Sequence, residues 1–330
     1  MKRKTSCPFR FAVMAFFISA GMIFSAGCGK TTDNMAERSG TFFNTSISIR
    51  VYDDNGEALL DGCFEIAEEM ENTFSAQKEG SELYEVNHRS SQTVTVSDDL
   101  AECISEGLHF GEISNGAFDI TIYPVRELWD FESGTAIVPD ESAIEEALTK
   151  VDYTKIHIEG NTLTFDSEDT MIDLGAIAKG YISAKLKNYL SENGCTSALI
   201  NLGGNVSTLG TKPDGSKWTV GVQEPFSDRG EILTTVESED NCVISSGIYE
   251  RYFEVDGKMY HHILDPQTGY PAETELNQVT LVGTDDTACD ALSTICMLEG
   301  KEKAAEIIKE YYPDIQVLFT DKDNNIEWME

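Results

Sequence analysis

Apolar positions along this chain recur with two periods, and their succession predicts most of the elements. Residues 42–52 read as a strand. A helix follows over residues 57–74, where Cys63, Ile66, Met70 and Phe74 fall on one stripe. An extended stretch at 93–96 leads into a second helix over 97–114, and residues 141–149 form a short third one. Residues 156–158 and 163–165 flank Gly160-Asn161, a hairpin signal. After the short extended Met171-Ile172 comes an amphipathic helix with Ile182, Leu186, Tyr189 and Leu190 at helical spacing and Gly194 as its stop. Residues 251–255 and 259–263 flank Asp256-Gly257, another hairpin turn, which delivers His262 at the end of a strand. A strand at 279–282, helices at 287–298 and 301–311, and a hairpin around Asp323-Asn324-Asn325 complete the pattern.

Helices interleaved with antiparallel hairpins predict an α+β fold and argue against a doubly wound parallel sheet. After Gly40 there is neither a long Pro/Ser linker nor an internal repeat, so residues 41–330 are expected to form one large or bilobed domain.

The front end has a different character. Lys2, Arg3, Lys4 and Arg10 make a basic start, residues 11–24 are apolar, and Ser25-Ala26-Gly27-Cys28 follows. This predicts a secretory signal over residues 1–27 that ends at a lipidation site, Cys28. The apolar run is short for a membrane span. Polar residues 28–40 read as a tether, which places the body outside the cytoplasm on a lipid anchor.

Charge narrows the partners. The chain carries 58 acidic and 24 basic residues, a net charge of −34, and four of its positive charges lie in the first ten residues. Nucleic acid and anionic lipid surfaces are therefore poor partners for the body. An anionic ligand approaching it needs local compensation. Cys63, Cys103, Cys195, Cys242, Cys289 and Cys296 are scattered with no Cys-x-x-Cys pair, which argues against zinc. Export permits disulfides, but buried free thiols are the simpler expectation.

Candidate chemistry concentrates in two places. In His262-Ile-Leu-Asp265-Pro266-Gln-Thr268-Gly269-Tyr-Pro271, Pro266 fixes its own φ and pushes Asp265 toward an extended conformation, while Gly269 permits a left-handed turn. Such a stiff loop can hold His262 at a ligand with little ordering cost, whereas His261 should point to the opposite face. Asp290 and Thr294 are four apart, so on a helix a carboxylate and a hydroxyl share one face, two hard oxygens that suit Mg²⁺. The plainer alternative is a turn followed by a helix whose Thr294 bonds back to the Asp290 carbonyl. Upstream, Asp173-Leu-Gly175-Ala176-Ile-Ala-Lys179-Gly180 opens a helix where backbone N–H groups can approach an anion such as a pyrophosphate. Lys179 can add a charge there, although a lysine in that place is more often a solvated surface residue.

Taken in order, these segments resemble the ApbE family of FAD:protein FMN transferases from about Thr41 to the C-terminus. The match runs through Ser75, Ser81, Leu83 and Asn87; Ser114-Asn-Gly116-Ala117-Phe118-Asp119-Ile-Thr121; the Asp173 run; Asn201-Leu-Gly203-Gly204-Asn205; the His262 turn; and Asp290-Ala-Leu-Ser-Thr294. The resemblance implies a tunnelling-fold arrangement with FAD held between two lobes. It implies a Mg²⁺ ion on the Ala176 carbonyl, Asp290 and Thr294, with His262 and Asp290 as catalytic residues. Ala117, Phe118, Asp119, Asp173, Lys179 and Ile263 are the implied FAD contacts. Phe118 would offer an apolar surface to a ring, and Asp119 would accept from ring N–H groups. Without that role, the segment is a strand entering the core, with Asp119 bonded to nearby backbone. Ser245-Ser246-Gly247 is read as a further turn near the nucleotide.

The implied reaction transfers FMN from FAD to a threonine or serine hydroxyl of an acceptor flavoprotein subunit in a membrane or extracytoplasmic electron-transfer system, releasing AMP. Two alternatives use the same site: hydrolysis of FAD to FMN and AMP, or FAD binding without catalysis. The intact Asp290/Thr294 pair speaks against a pure binder. Two departures stand out. Gln77 replaces an aromatic found in many relatives, with Tyr84 as its expected substitute, and Asn44 stands where many have methionine or aspartate.

Overall fold

Most of the β-structure is gathered into one antiparallel sheet of eight strands. The computed structural model describes residues 34–131 and 135–329; the expected signal at 1–27 and Cys28 lie outside the described residues. The elements are β1 (Met35–Phe42), β2 (Thr45–Tyr52), α1 (Gly56–Phe74), α2 (Glu82–Asn87), β3 (Thr93–Thr95), α3 (Asp98–Ile113), α4 (Tyr123–Trp129), α5 (Glu141–Leu148), β4 (Ile156–Glu159), β5 (Thr162–Phe165), α6 (Ala178–Glu192), β6 (Ala198–Leu202), β7 (Asn205–Leu209), β8 (Trp218–Gln223), β9 (Ile232–Ser238), β10 (Cys242–Gly247), β11 (Tyr252–Val255), β12 (Lys258–His261), β13 (Leu276–Gly283), α7 (Asp286–Tyr311), β14 (Gln316–Asp321) and β15 (Ile326–Trp328). The large sheet has the order β1-β2-β6-β7-β10-β13-β14-β15; β3-β5-β4, β8-β9 and β11-β12 form smaller sheets.

The α+β expectation holds, and its period-2 logic is visible in β2. Ile47, Ile49 and Val51 are fully buried, while the residues between them are partly exposed. Burying three such side chains stabilises the hairpin by roughly 1.5–3 kcal/mol each. Strand β13, in the second half of the sheet, is buried at every position. One face of the sheet carries the main core with α1, α6 and α7; the other is closed by the β8-β9 ribbon through Val206, Val220, Val222, Val236, Val243 and Val282.

Three boundaries differ from the expectation. Residues 35–40, read as tether, are an edge strand paired with β2 along its whole length. Their polar composition reflects the exposed outer edge, where Arg38 bridges Glu57 and Asp61 and Arg50 meets Glu37. Residues 42–52 are accordingly not one strand: the chain reverses at Phe43-Asn44, both at positive φ (54° and 55°). Ser245-Ser246-Gly247 is the end of strand β10, not a turn. The two helices expected at 287–298 and 301–311 are both present, as the two parts of α7 on either side of Gly300, whose φ of 75° and ψ of 177° are non-helical.

The join between β7 and β10 positions the site. It consists of only two residue pairs, Ser207–Cys242 and Val206–Val243. Beyond Val206 and Val243 the strands part, and Asn205 on one side and Ser245, Ser246 and Gly247 on the other line an opening. Helix α6 packs against β6 and β7, and α7 against β10 and β13, so the helices span the same division. They cross at Gly180, where a Cβ would lie 2.3 Å from the Asp286 carbonyl oxygen and 2.7 Å from Asp290 Cβ. A smaller core of Val125, Trp129, Ile144, Ala147 and Leu264 joins α4 and α5 to the β11–β12 hairpin and the turn after it.

Candidate active site

Two adjoining cavities open where the halves of the sheet part, one of about 500 Å³ and one of about 170 Å³. They share Arg126, Asp173, Gly175, Lys179, Ser246, Arg251 and His262 along their linings. The smaller one is lined by Ala117, Phe118, Asp119, Asp173, Ala176, Lys179, His262, Ile263, Asp290 and Thr294 together. Residues separated by more than 170 positions in sequence thus converge on one space.

Asp290 sits at its centre, 2% exposed. One carboxylate oxygen accepts the Gly180 backbone N–H at 2.9 Å; the other accepts from Asn205 Nδ2 at 2.8 Å and from Lys179 Nζ at 3.2 Å. The anion at the start of α6 is therefore this side chain, drawn there by unpaired N–H groups and the positive end of the helix. Ser293, not Thr294, bonds back to the Asp290 carbonyl, at 2.7 Å, and Ser293 is itself held by Ser246 at 2.6 Å. Thr294, one turn past Asp290, faces the cavity. One turn before it, buried Asp286 accepts from Ser207, which meets Ser183 at 2.7 Å. Strand β7 and helix α6 thus grip α7 at two successive turns.

The expected helix opening at Gly175-Ala176 is a turn that precedes α6. Asp173 organises it: Oδ1 accepts the Gly175 N–H at 2.7 Å and Oδ2 pairs with Arg126 at 2.8 Å. The Gly175 N–H is thereby used within the protein, and the turn sets Ala176 at the smaller cavity.

His262 follows β12 directly. Its N–H donates to the Arg251 carbonyl at 3.1 Å and Nδ1–H to the same oxygen at 3.3 Å, which leaves Nε2 as the unprotonated nitrogen. Burial and the neighbouring Arg251 push its pKa down to about 3, so the ring is neutral near pH 7. His261 turns the other way, as expected, with Nε2 donating to the Ala272 carbonyl at 3.2 Å. The following turn is rigid because Asp265 accepts from Gln267 N (2.8 Å) and Thr268 Oγ1 (3.2 Å), and Trp129 Nε1 donates to the Gly269 carbonyl. Gly269 has φ 71°, and a Cβ there would strike Ile144 at 2.5 Å.

Two expected FAD contacts read differently in the fold. The Asp119 carboxylate is committed to Thr121 N (2.7 Å), Thr121 Oγ1 (2.6 Å) and Tyr153 N (3.0 Å), so it shapes its own loop rather than presenting both oxygens to a ring. Burial raises its pKa against those bonds. Phe118 is 3% exposed and packs edge-on against Phe110, with a small part at the cavity wall. The segment is a loop, not a strand. Tyr84 does not replace the missing aromatic at Gln77; it stacks on His88 at 3.9 Å. Phe43 lines the larger cavity instead.

Apart from Lys179, sequence patterns missed the cations. Lys78, Arg126, Lys179, Arg229 and Arg251 line the larger cavity against the acids Glu71, Asp173 and Glu250, a local positive excess in a chain of net charge −34. No motif marks these arginines, because they come from a helix and two separate loops. Among the described residues no group of three or more His, Cys, Asp and Glu is placed to hold a metal, and all six cysteines described are buried free thiols. No described helix is long and apolar enough to cross a membrane.

The ApbE family model matches residues 43–319. The FAD:protein FMN transferase of Treponema pallidum (strain Nichols) is 32% identical over 344 residues, covering 98% of this chain and 94% of that protein. A second, from Klebsiella pneumoniae (strain 342), is 33% identical over 291 residues, covering 87% and 90%. Among solved structures, the ApbE protein of Thermotoga maritima superposes with a TM-score of 0.81 at 30% identity, covering 90% of this chain and 97% of that one. The flavin transferase ApbE from Vibrio cholerae gives a TM-score of 0.77 at 25% identity, covering 89% and 96%.

Proposed function

This chain belongs to the ApbE family, and on that premise we propose that it transfers FMN from FAD to a threonine or serine hydroxyl of an acceptor flavoprotein, releasing AMP. The single observation that carries the reading is the convergence of Ala176, Lys179, His262, Asp290 and Thr294 on one cavity beside a cleft rich in cations.

In the transfer, the acceptor oxygen bonds to the FMN-side phosphorus, the bond from that phosphorus to the bridging oxygen breaks, and AMP leaves with the bridging oxygen. His262 takes the hydroxyl proton on Nε2, the nitrogen left free by the Arg251 carbonyl. A base with a pKa of about 3 is weak. The negative charge of a bound pyrophosphate raises that value, so the ring becomes a better acceptor once FAD is in place. Lys179, Arg126 and Arg251 balance charge on the phosphates.

Ala176, Asp290 and Thr294 line one cavity, and the Ala176 carbonyl, the Asp290 carboxylate and the Thr294 hydroxyl would together offer one carboxylate with two neutral oxygens. That donor set fits Mg²⁺, which takes one or two carboxylates and completes its shell with water and phosphate. When bound, the ion supplies Lewis-acid stabilisation of the phosphoryl oxygens. Asn205 and the Gly180 N–H hold the Asp290 carboxylate in place for it. The basic start, apolar run and Cys28 support an extracytoplasmic, lipid-anchored setting, with an acceptor in an electron-transfer system at the same membrane.

The test is to incubate the protein with FAD, Mg²⁺ and a candidate acceptor flavoprotein and look for flavin fluorescence retained on the acceptor after denaturation. Retained flavin with AMP release is the expected outcome. AMP release that is equally fast without acceptor, and no retained flavin, would mean hydrolysis instead.

A further inference from the structure

We infer that the aromatic rim formed by exposed Phe226 and Tyr252 over half-buried Tyr249 docks the acceptor polypeptide, seating an apolar side chain that flanks the hydroxyl to be modified. The inference rests on the transferase reading above, and it names the surface that presents the acceptor to that site.

Phe226 is 48% exposed and Tyr252 45% exposed, yet their rings meet edge-to-face at 5.7 Å, and Phe226 also meets Tyr249 at 5.8 Å. Scattered exposed apolar residues need no explanation, but three interlocked rings make a patch. Phe226 adopts a φ of 62°, which bulky side chains rarely take. Tyr249 is anchored from below by its hydroxyl on Gln278, so the patch has a fixed floor.

Position identifies the occupant. Arg229, three residues after Phe226, lines the larger cavity, as do Glu250 and Arg251 between the two tyrosines. The Arg251 carbonyl is the group that holds His262. Tyr252 pairs with His261 across the β11–β12 hairpin, so the rim and the proposed base are neighbours across two strands. A protein hydroxyl that reaches His262 has to bring its own chain past this edge, and the side chains next to it meet the rings. Aromatic side chains at the centre of a contact dominate such recognition.

The probes are two fluorescein-labelled synthetic peptides, each with one threonine, flanked by leucine and isoleucine in one and by serine and glycine in the other. Each is titrated into protein loaded with FAD and Mg²⁺, and anisotropy is read. The apolar-flanked peptide should bind about tenfold more tightly, and the preference should vanish in Phe226→Ala and Tyr252→Ala, with the melting temperature and the Kd for FAD unchanged. Absence of binding, absence of preference, a preference untouched by both substitutions, or an equal loss of FAD affinity each overturns the proposal. FMN transfer onto the peptides is scored separately. A peptide bound through the rim that never receives FMN counts against the transferase reading and not against the docking surface.

Discussion

Lys179 Nζ lies 3.2 Å from Asp290 Oδ1, in the cavity where a divalent cation would meet the same carboxylate. The two positive charges compete for one oxygen, at a side chain that is 3% exposed. Lys179→Met removes the competitor. Without FAD, the affinity for Mg²⁺ measured by calorimetry should rise about tenfold, equivalent to about 1.4 kcal/mol, while the KM for FAD rises because a phosphate-facing charge is gone. An unchanged Mg²⁺ affinity would mean that the lysine and the cation do not share Asp290.

Asp173 has two separable duties, and two substitutions divide them. Asp173→Asn keeps an oxygen for the Gly175 N–H and loses the charge opposite Arg126; Asp173→Ala loses both. A partly buried charged bond is worth roughly 1.5–3 kcal/mol, so the alanine variant should lose on the order of ten- to a hundredfold in kcat/KM, and the asparagine variant less. Equal effects would show that the turn before α6 does not depend on this carboxylate.

Close approach at Gly180 predicts a stability effect with a functional consequence. A methyl group there meets backbone, not a yielding side chain, at 2.3 Å. Gly180→Ala should therefore cost about 1–3 kcal/mol, the usual range for overpacking, and should displace Asp290 from the Gly180 N–H. Urea unfolding measures the first effect and FMN transfer the second. Full stability in the variant would contradict the packing account.

The longer helices and the hairpins around tight turns were legible because their signals are local, whereas α2, α4, the β6–β7 hairpin and the β8–β9 ribbon were not. The Asp256-Gly257 turn and the stripe through Met70 each act within a few residues. The convergence of the motif-bearing residues was legible too, since all ten line the smaller cavity. What sequence hid is relational. Nothing local reveals that Asp119 spends its oxygens on Thr121 and Tyr153, or that Arg126 and Arg251 arrive at the cleft from α4 and from the loop just before β11. Edge strand β1 looked like a tether because its polar residues face solvent and its pairing partner lies across a turn without glycine.

His262 sets the acid side of the pH response. Its pKa is 6.5 unperturbed and about 3 in the fold. The unfolded chain takes up a proton below pH 6.5 that the folded one refuses, so its contribution to stability is intact above 6.5 and falls as pH drops toward 3. The profile of kcat/KM for FAD, which reports the free enzyme, should show no loss from this group at pH 6.5. The kcat profile, which reports the FAD complex, should fall at a higher pH. His262→Ala should remove that limb and lower kcat on the order of 10²–10⁴-fold. Coincident limbs for the two parameters would deny that the bound pyrophosphate changes the ring.

Direct observation of the cation tests the central claim most sharply. Mn²⁺ replaces Mg²⁺ in crystals grown with FAD, and its anomalous scattering marks its position. The account predicts one strong peak at about 2.1–2.2 Å from an Asp290 carboxylate oxygen, the Thr294 hydroxyl and the Ala176 carbonyl, touching the FAD phosphates. FAD bound in the cleft with manganese absent from those three oxygens would contradict it.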